Sequence, residues 1–151
     1  MAVERKPVDW EAIEREYRAG EVGVERIAAA VLSRPSCWAE MGWPDVASIN
    51  RQVRVGRAIV DILVRHVDGS ITLVEVKRAG LHLRDYCTGI GQLAYQAVMA
   101  MSDFQTFKVR RVLAMAGQFP VDVAIVCAAE DVDMLPMCTV DEWIGFLREA
   151  A

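Results

Sequence analysis

The chain has 151 residues, 54% hydrophobic and 25% charged, a composition that suits one globular domain with its own core. No apolar run approaches the ~20 residues of a membrane span, and the start, Met1-Ala-Val-Glu-Arg-Lys6, is not an apolar signal segment, so a cytoplasmic protein with no membrane partner is expected. Net charge is −4, which argues against a general nucleic-acid binder, yet between Arg51 and Asp85 seven bases stand against four acids, a local basic surface of the kind phosphate contact requires.

Asp9 is placed to cap a helix over residues 9–19, with Trp10, Ile13 and Tyr17 at helical spacing and Gly20 as its stop. A second helix is expected over 22–32, ended by Pro35, with one further turn over 36–41. The period then changes. Residues 49–55 alternate with polar positions, and 57–66 and 71–77 are rich in Ile, Val and Leu, so all three read as strands. Asp68-Gly69 between the last two is a hairpin signal. A helix over 88–101, two strands over 109–115 and 121–127, and a last helix over 140–149 follow, the last opened by a Thr139/Glu142 capping box. The order α-α-β-β-β-α-β-β-α predicts one α/β domain with a mixed sheet. Cys37, Cys87, Cys127 and Cys138 include no CxxC pair, so they read as thiols in a reducing compartment and not as a redox or zinc motif.

Chemistry concentrates in Asp61 and in Leu73-Val-Glu-Val-Lys77. Glu75 and Lys77 are two apart on a strand and share a face, while Val74 and Val76 point into the core. A carboxylate and an ammonium on an otherwise apolar strand need a reason, because buried charge is costly. Whether Asp61 joins them depends on the hairpin. A two-residue loop would set Asp61 opposite Val76, on the wrong face. A three-residue loop, Val67-Asp68-Gly69, with Gly69 in a left-handed bulge, sets it opposite Glu75, and this bulge is the expectation. Two such carboxylates, with the Val76 carbonyl, make an oxygen-rich site suited to Mg²⁺ or Mn²⁺. Lys77 is placed to hold water and stabilise charge on a phosphate.

Asp61, thirteen intervening residues, then Glu75-Val-Lys77 resembles the PD-(D/E)XK nuclease superfamily. The wider run Arg51-Gln-Val-Arg-Val-Gly-Arg-Ala-Ile-Val-Asp-Ile-Leu63, Asp68-Gly69 and Leu73-Val-Glu-Val-Lys-Arg78 is similar to the C-terminal nuclease domain of NucS-type endonucleases and related RecB-like nucleases. The resemblance implies a restriction-endonuclease-like core over 23–128, a mixed β-sheet flanked by helices. Residues 1–22 would be an N-terminal helical extension and 129–151 a C-terminal helix. It also implies a catalytic Gln92 accompanied by Tyr95, and a Glu on the preceding helix, Glu25, as a further metal ligand. DNA would be the substrate, cut to 5′-phosphate and 3′-hydroxyl ends, with Arg51, Arg54, Arg57, Arg78 and Tyr95 as contacts. Val60 stands where the superfamily carries Pro, and the NucS-type N-terminal DNA-binding domain has no counterpart here.

Plainer readings stand beside these. Asp61 paired with Arg57 or Arg65, and a Glu75–Lys77 surface pair, would each be ordinary. Glu25 reads equally as a solvated charge, and the Arg51/Arg54/Arg57 stripe as protection for an edge strand. Residues 8–20 and 24–28 resemble the start of helix-turn-helix domains in phage terminase small subunits, but Pro35 breaks the segment where a recognition helix should follow. Packing of this helix pair on the sheet is the expectation. The main reading is a metal-dependent deoxyribonuclease, with a homodimer expected because two sites are needed to cut two strands at once. The rivals are a catalytically silent nucleic-acid-binding adaptor on the same fold and a protein with no nucleic-acid partner.

Overall fold

A computed structural model describes residues 41–78, 80–116 and 119–137, together with Asp9, Glu11, Ala12, Arg15, Glu25, Ala28, Ala29, Leu32 and Ala39. The expected C-terminal helix over 140–149, and most of the first helix, lie outside the described residues. Glu11, Ala12 and Arg15 are helical, and Asp9 Oδ1 accepts from the Ala12 amide at 3.0 Å, the geometry of an N-cap.

Five strands form one sheet in the order of the chain: β1 (Val46–Val55), β2 (Ala58–His66), β3 (Ile71–Lys77), β4 (Val109–Ala116) and β5 (Asp133–Met137). β1, β2 and β3 pair antiparallel, whereas β3, β4 and β5 pair parallel. Helix α1 (Leu83–Asp103) connects β3 to β4, and α2 (Val121–Ala129) connects β4 to β5. This is the mixed, helix-flanked α/β sheet that the sequence predicts.

Both faces of the sheet are covered. On one, Ala28 and Leu32, both helical, pack against Ile62, Val64, Val74, Val76, Val112 and Ala114. Ala28 and Leu32, from the second expected helix, are therefore core residues. On the other face, Leu63, Leu73, Leu113 and Met115 meet a stripe of α1 that includes Tyr86, Ile90, Leu93 and Ala97, spaced as one side of a 3.6-residue helix demands. No helix among the described residues is long and apolar enough to cross a membrane.

Two expectations are corrected. Residues 121–127 are helical, not a strand. Their β-branched composition imitates a buried strand, but β4 and β5 are parallel neighbours, and a parallel pair needs a crossover. Pro120 sits at the N-cap of α2, and Val123 and Cys127, four apart, are its buried residues. Val121 and Ile125 are exposed on the outer side of this helix. The segment after residue 128, expected to hold only a helix, begins with β5. Pro136 hid it, since proline enters sheets chiefly at edges, and β5 is the edge strand.

Candidate metal and nuclease site

The hairpin between β2 and β3 has the predicted bulge. Gly69 has φ of +86°, its amide donates to the His66 carbonyl at 3.0 Å, and the His66 amide donates to Ser70 O at 3.0 Å. Asp68 Oδ1 secures the turn by accepting from Ser70 N at 2.9 Å and Ser70 Oγ at 2.6 Å. The ladder runs from Arg65 opposite Ile71 to Ile62 opposite Val74. Continued by one residue, this register sets Asp61 opposite Glu75.

At that step the two strands part. The ladder ends at Ile62 and Val74, and the Val76 amide, which would next donate to β2, donates to Asp61 Oδ2 at 2.8 Å. Glu75 and Lys77 lie on the α1 face beside it. Glu75 is 6% exposed, and Lys77 Nζ is 3.6 Å from Glu75 Oε1. Gly89 of α1 makes room for both, since a methyl group there would sit 2.8 Å from Lys77 Cε and 3.3 Å from Glu75 Cγ.

Glu25 approaches from the second helical layer, itself 5% exposed. Its Oε1 accepts from Arg51 Nε at 2.9 Å, and its Oε2 accepts from Gln52 Nε2 at 2.8 Å. The same Gln52 nitrogen lies 3.4 Å from Asp61 Oδ1. Burial pushes the Asp61 carboxyl above its usual range, and the charge of Glu25 pushes the same way. The Val76 amide, Lys77 and Gln52 pull it back.

Among the described residues, no three of His, Cys, Asp and Glu gather closely enough to hold one metal ion. Asp61 and Glu75 are the carboxylates that the continued hairpin register sets opposite each other. Glu25, expected to complete the site directly or through water, has both oxygens engaged by Arg51 and Gln52. Gln92 is exposed on α1, three residues beyond Gly89. Tyr95 does not reach the carboxylates; its hydroxyl accepts from the Arg57 amide at 3.3 Å and holds the β1–β2 turn. Arg54, Arg57 and Arg78 are exposed, whereas Arg51 is tied to Glu25. Sequence reasoning passed over Gln52, whose conformation leaves no mark in composition. It also passed over Gly89, although a glycine inside a helix is a sign of close approach.

No protein-family model and no curated protein matches the chain. The fold recurs in solved structures, among them two that each cover 91% of this chain. A repair endonuclease from Pyrococcus abyssi superposes with a TM-score of 0.51 at 14% identity, over 91% of this chain and 50% of that one. EndoMS in a complex with double-stranded DNA superposes with a TM-score of 0.50 at 19% identity, over 91% and 48%. At these identities the likeness is one of fold, and the chain spans about half the length of each.

Proposed function

We propose that this chain is a metal-dependent nuclease acting on DNA. The observation that carries the reading is the hairpin register, which, continued one residue past the last β2–β3 pair, sets Asp61 opposite Glu75, the carboxylate beside Lys77. Both solved neighbours are described as endonucleases or bind DNA in their structures, which supports the reading at the level of the fold. The residues present fit a hard divalent cation. Asp61 and Glu75, with the Val76 carbonyl, are oxygen donors, and Mg²⁺ or Mn²⁺ commonly takes one or two carboxylates and completes its shell with water and phosphate.

Such a cation supplies positive charge to the phosphodiester and acidifies water beside it. The other roles fall to the chain. The Val76 amide fixes Asp61 through Oδ2, and the Gln52 amide approaches Oδ1. Lys77, restrained between Glu75 and Gly89, donates to the attacking water and to the charge that builds on phosphate. Gln92, Arg54, Arg57 and Arg78, all exposed, orient the strand through its phosphates. The engagement of Glu25 by Arg51 and Gln52 favours a second reading, a nucleic-acid-binding protein on this fold that does not cut.

The test is cleavage of labelled single-stranded, duplex, flap and four-way-junction DNA, with RNA controls, in Mg²⁺, Mn²⁺ or EDTA. Metal-dependent cutting is expected, lowered ~10²–10⁴-fold in Asp61→Ala and Lys77→Ala while both stay folded. Tight DNA binding without cutting in any metal would select the second reading.

A further inference from the structure

Gln52 lies inside β1, yet its φ is +52°, in the left-handed region that residues with side chains seldom enter. The β1–β2 ladder pairs Arg51 with Ile62 and Val53 with Val60 and omits the step between them, where Gln52 faces Asp61. The strands kink there without a register shift. Val60 and Ile62, two apart and so expected on one face, belong to cores on opposite sides of the sheet. Backbone strain of this kind gathers where surrounding structure demands it, often at functional sites.

The kink has a chemical result. It aims the Gln52 carboxamide so that one nitrogen, which carries two N–H donors, lies 2.8 Å from Glu25 Oε2 and 3.4 Å from Asp61 Oδ1. A neutral donor thus joins two carboxylates carried by different layers. A lysine at this place would add a second positive charge to that of Arg51, already paired with Glu25, whereas an amide ties the two carboxylates without adding charge.

We propose that Gln52 is a positioning residue of the metal site, holding the Asp61 carboxylate in its coordinating orientation and coupling it to Glu25. The proposal rests on the nuclease reading above. Groups that orient a metal ligand through hydrogen bonds commonly change metal affinity 10–100-fold when removed.

Two variants separate the amide from the backbone. Gln52→Ala removes the amide and keeps the strained conformation. Gln52→Gly removes the amide and accepts the conformation without strain. Mn²⁺ affinity of the whole chain is measured by calorimetry without DNA, beside the melting temperature. The expected result is a loss of roughly 10–100-fold in both variants, with Gln52→Gly melting at or above Gln52→Ala. Wild-type affinity in both folded variants would overturn the proposal and leave the nuclease reading intact. Recovery of affinity in Gln52→Gly alone would also overturn it, since the backbone and not the amide would then be responsible. A wild type that neither binds Mn²⁺ nor cuts DNA would remove the nuclease reading, and the proposal with it.

Discussion

Lys77 is the residue whose position depends most on a neighbour with no side chain. Gly89 interrupts a helix, where glycine costs about 1 kcal/mol relative to alanine, and the space it leaves is filled by Lys77 and Glu75. Gly89→Ala should therefore keep or raise the melting temperature while displacing the ammonium, lowering cleavage by on the order of 100-fold. Parallel thermal melts and single-turnover assays would show whether the two effects separate. His66 belongs to structure instead. Its ring contacts Pro44 O at 2.9 Å and Thr72 Oγ1 at 2.6 Å. Burial lowers its pKa, against the pull of the Pro44 carbonyl. A lowered folded pKa means that the unfolded chain takes up a proton first as pH falls below about 6.5. The stability held at neutral pH is then lost toward the folded pKa. Urea unfolding at pH 7.5 and 5.5 should show a larger loss for the wild type than for His66→Gln.

At the scale of elements, the tip of the β1–β2 hairpin is pinned to α1. The Gly56 amide donates to Asp103 Oδ2 at 2.8 Å, and the Arg57 amide donates to Tyr95. Gly56 has φ of +59°, and a methyl group there would come within 2.6 Å of Met99 Cγ. Gly56→Ala should cost about 1–3 kcal/mol, read from chemical denaturation, and loosen the strand that leads to Asp61. The first four strands, α1 and the hairpin register were legible because each is a local matter. Alternation marks the strands, and Asp68-Gly69 marks the turn that fixes the β2–β3 register. α2 and β5 were not legible, because parallel pairing to β4 overrides a β-branched run in one and a proline in the other. The Gln-x-x-Tyr pattern was visible, but Tyr95 serves the hairpin tip, and only the three-dimensional arrangement assigns it there.

Across the whole molecule, a net charge of −4 coexists with exposed Arg54, Arg57 and Arg78. The charge excess of the chain predicts weak nonspecific attraction, so DNA affinity should rest on few phosphate contacts. Arg54→Ala and Arg57→Ala should each reduce the slope of log affinity against log salt by about 1, with little dependence on sequence. Titrations between low and physiological salt would measure this. Arg51 stands apart from the set, because its guanidinium is committed to Glu25.

The hydrogen bond from the Val76 amide to Asp61 has an evolutionary consequence. One carboxylate both ends the β2–β3 ladder and serves the candidate site, so a change at position 61 that removes the acceptor costs architecture and activity together. Change to alanine would orphan a main-chain donor, a defect that costs about 1–3 kcal/mol where water cannot reach it. Change to asparagine keeps the acceptor and surrenders only the charge. A lineage drifting from cutting DNA toward merely holding it would thus meet least resistance through asparagine.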